Sequence, residues 1–480
     1  QTLIAEEART RAALAPVSRA QLEESDSLLK QASELYWAKK SNPAIPLANR
    51  ALEIRREVLG PDHASTAAAM NQLALNYEET GAYDAALPLN EQAVATATKA
   101  FGEIHPMTAS YTHNLGYLCY LRGDYARAEK LFETALAARK QTLGPKNRNT
   151  AVTLSNLGRV HVILGNYARA SALFGEAVEI FTKLYGEEDL DVAVTLHNLA
   201  SLYYAMGDDS RATELYERAL AIKRKVLGED HPDTATTASD LASIYHYAGD
   251  YPHALALYEQ VLATQQSKLG DNHKFTAGTL HSLAVVHFHM GDKTLAFSLE
   301  QQSLEISRRV MGDEHPMTAD SLVQLGYMHR IVGDYPRARQ EFEEAHAIYQ
   351  KAFGDDHFDT AITRKALGMT YAALGQSTEA EASFLASADS ELRALQRELF
   401  SFGSDRIQSL LTRSIPNVDY LASLPQIGPN GERRLFEVLL SKKAVEFQLL
   451  ALQRAAAYLA ATDPEVAGVQ TQLNDKRGEL

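Results

Sequence analysis

Histidine recurs along this chain at a fixed spacing. His63, His105, His231, His273, His315 and His357 each stand three residues after a glycine. Imidazole is a common metal ligand, so a chain with 16 histidines invites a metal reading. The spacing argues against it. A stretch long enough for two helices separates neighbouring copies, on the order of 20 Å if each helix packs at about 10 Å. Zinc needs its ligands about 2 Å from one ion. The six are therefore read as structural linker histidines, and no metal site is expected. Cys119, the single cysteine, could serve as a nucleophile. It stands where other copies of the pattern carry Tyr or His on a packed face, so a buried structural thiol is expected. The acidic pairs Glu229/Asp230, Asp313/Glu314 and Asp355/Asp356 sit beside helix starts, where negative charge favours the helix dipole. There is no P-loop, GxGxxG or HExxH motif. The expectation is a chain without catalytic residues and without a cofactor.

The element that must position any functional residue is a repeat of 42 residues. Glycine opens a unit at Gly60, Gly102, Gly144, Gly186, Gly228, Gly270, Gly312 and Gly354, with no insertion or deletion. A fixed period of this size means stacked supersecondary units. Counting each opening glycine as zero, +7 is Ala and +13 is Leu in all eight units. Position +14 is Ala or Gly, +21 is Gly and +26 is Ala. Position +17 is Tyr, His or Cys, and +30 is mostly Phe or Tyr. Glycine at +21 ends a first helix, and the opening glycines are expected to end the second in the same left-handed way. Small residues at +14 and +26 let two helices approach closely. Thr at +6 stands where an N-cap or first-turn residue belongs. The pattern predicts helix A over about +6 to +20 and helix B over about +23 to +41.

These columns resemble the tetratricopeptide repeat, in the longer form found in kinesin light chains and many bacterial proteins. The segment Leu115–Ala135, LGYLCYLRGDYARAEKLFETA, carries the pattern with Cys119 in the first Tyr place. The resemblance implies an all-α fold, a right-handed superhelical solenoid of antiparallel helix pairs with about nine repeats. Residues 1–19 are expected to be a helical lead-in, 20–59 a degenerate first repeat, 60–395 eight regular repeats and 396–480 a helical connector. The run from Arg433 to Leu480 is similar to the connector of bacterial proteins that join such repeats to a CHAT domain, a caspase-like cysteine protease. That resemblance implies a protease following Leu480 and none within this chain.

Arrays of this kind bind peptides or proteins on a concave surface lined by the A helices. Carried over by register, column +12 offers Asn114, Asn156, Asn198 and Asp240, and column +11 offers His113 and His197. Asparagine suits this place, since its amide donates and accepts as a peptide bond does. Column +15 gives Tyr117, Arg159 and Tyr327. Column +18 gives Glu78, Tyr120, Tyr204, His246, Phe288 and Arg330, and column +19 gives Tyr247 and His289. Large aromatics and Arg are usual interface anchors. The alternative is that these rings pack on neighbouring A helices. The units around Asn114 to Asn198 keep the Asn column best.

Composition limits the partners. A net charge of −14 disfavours a nucleic-acid footprint, which needs a basic face. One cysteine and no apolar run of about 20 residues point to a reducing, cytoplasmic setting without a membrane span. The expected function is a scaffold that binds a peptide or protein, as the regulatory array of a CHAT-type protease. The alternatives are a freestanding adaptor or a subunit of a nucleic-acid-associated complex.

Overall fold

The computed structural model describes residues 14–399. Most of the expected lead-in, and the connector from residue 400 onward, lie outside the described residues. Eighteen α-helices are present among them: α1 (Pro16–Trp37), α2 (Ser41–Leu59), α3 (Ala64–Glu79), α4 (Tyr83–Phe101), α5 (Pro106–Leu121), α6 (Tyr125–Thr142), α7 (Arg148–Ile163), α8 (Tyr167–Tyr185), α9 (Leu190–Ala205), α10 (Asp209–Leu227), α11 (Pro232–Tyr247), α12 (Tyr251–Leu269), α13 (Lys274–His289), α14 (Lys293–Met311), α15 (Pro316–Val332), α16 (Tyr335–Phe353), α17 (Phe358–Ala373) and α18 (Ser377–Leu399). The all-α class and the pairing of consecutive helices are as expected. Helix α18 continues past residue 395, across the expected boundary of the array. The chain packs as two compact units that divide between Leu202 and Tyr203.

The linker histidines have a definite task. Nδ1 of His63, His105, His231, His273, His315 and His357 accepts a hydrogen bond from the backbone N–H two residues on, at 3.1–3.4 Å. Each caps a first helix, whose leading N–H groups lack intrahelical acceptors. In the two units without histidine, Asn147 and Asp189 make the same bond. Thr at +6 is therefore not the cap. Its hydroxyl turns back and donates to the carbonyl of the opening glycine, as Thr234 does to Gly228 at 2.9 Å, and this closes the linker.

The opening glycines depart from the expected left-handed cap. Gly228 has φ 94° and ψ 164°, a region that essentially only glycine occupies. Gly333, at +21, takes the ordinary left-handed conformation, φ 87° and ψ 5°. In the first pair the turn residue is Lys39, which holds φ 58° without being glycine.

In the first unit the core runs through the pairs as linked clusters. Leu52, Met70, Leu73 and Tyr111 form one, and Leu115, Cys119, Phe132, Leu157 and Val160 another. Burial pushes the Cys119 thiol up, so it stays neutral, as a structural thiol should. In the second unit Tyr258, Leu283 and Val286 pack together, as do Phe342, Ala366 and Leu367. Polar side chains also stitch one repeat to the next. Arg139 is buried and donates to the Asn149 carbonyl at 2.9 Å and to Thr153 Oγ1 at 2.6 Å. Lys223 takes the same column and meets Thr237 Oγ1 at 2.8 Å. Neighbouring second helices share half-buried ion pairs such as Arg127–Glu91 and Lys140–Glu176.

Candidate functional site

The asparagine column forms a ladder between neighbouring first helices. Asn114 Nδ2 donates to Asn71 Oδ1 at 2.9 Å. Asn156 Nδ2 lies 3.3 Å from His113 Nε2, and Asn198 Nδ2 lies 3.5 Å from Ser155 Oγ. In each case a +12 amide reaches the +11 side chain of the preceding repeat. All three amides are half-buried. Each ladder bond takes one N–H of an amide and leaves its second N–H and its oxygen for another partner. Asn71, His113 and Ser155 at +11 thus each support an asparagine of the next repeat. His113 is buried, lies tilted against the Phe132 ring at 5.2 Å and meets Thr153 Oγ1 at 3.4 Å. Burial, reinforced by Arg139, lowers its pKa to about 3, so the ring stays neutral.

One turn further along, rings and a guanidinium gather beside the ladder. Tyr117 and Tyr120 stack at 6.1 Å on α5. Arg159 reaches over from α7, 4.6 Å from the Tyr120 ring and 5.9 Å from the Tyr117 ring. Its Nη2 donates to the Tyr120 hydroxyl at 3.1 Å. Such contacts hold a long side chain in one orientation. On α3, in the column of Tyr120, Glu78 is buried, with no hydrogen-bond partner for Oε2 among the described residues. Burial, then the neighbouring Glu79, raises its pKa to about 8. Tyr36 of α1 is pushed up to about 12 by burial and by Glu78, Glu79 and Tyr117.

The second unit carries its own ring cluster. His246 stands 5.0 Å from Tyr247 and 5.4 Å from His289, and His289 stacks on Tyr251 at 5.5 Å. Tyr247 and His289 are exposed. Burial, then His289 and His281, lowers the His246 pKa. Other residues of the expected strip do different work. Phe288 is buried with Ala284, Ala296 and Met328 and belongs to the core. Tyr327 leans edge-on against Phe342 at 5.1 Å, and Arg330 lies 5.8 Å from its ring. Asp240 is half-buried, and burial raises its pKa to about 6 against the pull of Lys223. His197 and Tyr204 are half-buried and have contacts of their own.

Sequence reasoning picked out the asparagines, which the structure bonds to the preceding repeat, and Tyr117, Tyr120 and Arg159, which it brings together. It missed the supporting role of Asn71, His113 and Ser155, and the isolation of Glu78. The +11 column consists mainly of residues able to bond an amide, which is the signal that the pairing left in the sequence.

The sequence pattern of the tetratricopeptide repeat family matches residues 24–99, 107–183, 149–225, 191–267, 275–350 and 317–389, most of the chain. No curated protein sequence matches. Among solved structures, the fold is similar to the apo form of RapI, at a TM-score of 0.57 and 14% identity over 79% of this chain and 99% of that one. It is also similar to the apo quorum sensor NprR from B. thuringiensis, at a TM-score of 0.55 and 16% identity over 77% and 99%. The TPR-like repeats of a Podosopora anserina protein assigned as a kinesin light chain share 28% identity over 43% of this chain and 98% of that one, at a TM-score of 0.39.

Proposed function

Because this chain belongs to the tetratricopeptide repeat family, a family of protein–protein interaction scaffolds, we propose that the face built by α5, α7 and α9 binds an extended segment of a partner protein. The observation that carries this is the asparagine ladder. Asn114, Asn156 and Asn198 are held in place by a bond to the neighbouring repeat, and each keeps a donor and an acceptor in reserve. A peptide backbone presents the complementary pair. Tyr117, Tyr120 and Arg159 flank the ladder with the residue types that anchor interfaces, already oriented by one another.

The test is Asn156→Ala combined with Asn198→Ala. The partner is first captured with the unaltered chain by cross-linking in the source cells, and affinity is then measured by calorimetry. Losing two amides at about 0.5–1.5 kcal/mol each, about 1–3 kcal/mol together, should weaken binding by about 5- to 150-fold. The same substitutions remove two ladder bonds, so a similar loss of stability is expected and circular dichroism must show the variant folded. Unchanged affinity in a folded variant would refute the assignment.

The finer reading makes this array the regulatory part of a CHAT-type protease. It rests on the resemblance of Arg433–Leu480, which lies outside the described residues. Reading the gene beyond the codon for Leu480 tests it: a His/Cys pair in a caspase-like setting supports it, and a stop codon leaves the adaptor reading. Among the described residues no helix is long and apolar enough to cross a membrane.

A further inference from the structure

The histidines that recur by spacing are helix caps, but the fold brings a different histidine to two carboxylates. Glu129 and Glu133 stand one turn apart on α6, and His161 comes from α7. One ligand atom from each lies within 4.8 Å of the others. His161 occupies the +17 column, which Tyr fills in half of the repeats. Where that Tyr is present at 245 and 371, its hydroxyl donates to a carboxylate of the preceding second helix, Glu217 at 2.6 Å and Glu343 at 2.9 Å. His329, in the same column, is satisfied by Glu341 at 2.8 Å.

His161 has neither arrangement. It is 0% exposed, and its Nε2 has no hydrogen-bond partner among the described residues. The nearest carboxylate oxygen, Glu129 Oε1, is 3.6 Å away. That is too long for a hydrogen bond. It is close to the roughly 3.4 Å edge between two ligand atoms that each sit about 2.0–2.1 Å from a tetrahedral ion. Arg169 Nη2 donates to Glu133 Oε1 at 2.5 Å, which orients the carboxylate and leaves its other oxygen unused. The Asn166 amide lies 3.3 Å from His161 Nδ1. Turned so that its oxygen accepts from Nδ1–H, it frees the Nε2 lone pair, the usual support for a ligating imidazole. The Arg169 charge opposes a cation, and the two carboxylates outweigh it.

We propose that Glu129, Glu133 and His161 bind one divalent ion of the zinc class, which clips the second helix of one repeat to the first helix of the next. The fourth position of a tetrahedral ion is left for water. The site uses none of the ladder residues, so the proposal does not depend on the peptide-binding reading.

The full chain, without an affinity tag and stripped with a chelator, is titrated with Zn²⁺ by calorimetry, and Co²⁺ is used to read coordination from its visible absorption. One ion per chain is expected, with a tetrahedral cobalt spectrum and a raised melting temperature. His161→Tyr restores the residue usual in this column, so it should fold, and it should lose at least about tenfold in affinity, as should Glu129→Gln. His63→Asn exchanges one helix cap for another and should leave binding unchanged. The proposal is overturned if the unaltered chain binds no ion, or if folded His161→Tyr binds as the unaltered chain does.

Discussion

Replacing Gly158 by alanine adds one methyl group to the middle of α7, and its effect follows from a single ring. A Cβ built there lies 2.8 Å from Phe174 Cε1 and 3.0 Å from Cδ1 and Cζ. Ordinary carbon contacts are about 3.5–4.0 Å. Phe174 is fully buried against Ala170 and Leu202, so the ring cannot retreat without losing other contacts. Overpacking of this kind costs about 1–3 kcal/mol. Against it stands the gain in helix propensity from Gly to Ala, about 0.8–1.0 kcal/mol. The net expectation is a loss of about 0–2 kcal/mol. The sharper form is a double-mutant cycle with Phe174→Leu, followed by equilibrium urea unfolding with the slope monitored, since repeat arrays can leave two-state behaviour. With Leu at 174 the clash is gone, and the same Gly158→Ala change should stabilise by about 1 kcal/mol. The coupling between the sites should be about 1–3 kcal/mol. The structure supplies an internal scale. Gly326 and Gly368 meet Phe342 and Phe384 at 2.8 Å, whereas Gly116 meets Phe132 at 3.1 Å. Alanine should therefore be tolerated best at 116. If Gly158→Ala stabilises by about 1 kcal/mol whether Phe or Leu stands at 174, the ring does not set the helix separation and the reasoning fails.

Two further outcomes concern backbone and charge. Lys39→Gly should stabilise by about 1 kcal/mol in the same unfolding assay, because Lys39 holds a left-handed φ of 58° that glycine adopts freely. Its ion pair with Glu79, mostly exposed, contributes little to offset this. No gain would mean that the first turn is held by something other than its backbone. Glu78→Gln tests the isolated carboxyl through pH. Folding raises the Glu78 pKa from 4.5 to about 8. The native state thus holds a proton that the unfolded state has lost between those values, and stability falls as pH rises through that window. The advantage of the Gln variant over the unaltered chain should grow by about 1.4 kcal/mol per pH unit from pH 4.5 to about 8 and then level off. A difference that does not vary with pH would show that Glu78 is not isolated.

Much of the fold was legible because its determinants are local. A glycine in a region of φ and ψ closed to other residues, a proline in the first turn of a helix, and apolar residues at helical spacing act within a few residues of chain. That is why the helices, their turns and their pairing could be read from the 42-residue period. The cap was also within reach. Asn147 and Asp189 share the column of the six histidines, and both are ordinary N-cap residues. Giving the N-cap place to Thr at +6 obscured it.

The partners of polar side chains belong to the packed structure. Asn114 finds Asn71, Arg139 finds Thr153, and His161 stands against Glu129. Spacing says which face of a helix a residue occupies. It does not say which side chain of another helix will stand opposite, because that depends on the separation and crossing of two packed helices to within about an ångström. The same cause divides column +18, where Phe288 enters the core while Tyr120 lies under Arg159. The sequence by itself determined that this chain is a stack of helix pairs with a variable first-helix face. The tertiary structure alone decided which of those variable residues enter the core, which bond to the neighbouring repeat and which stay exposed, because that depends on how two helices pack.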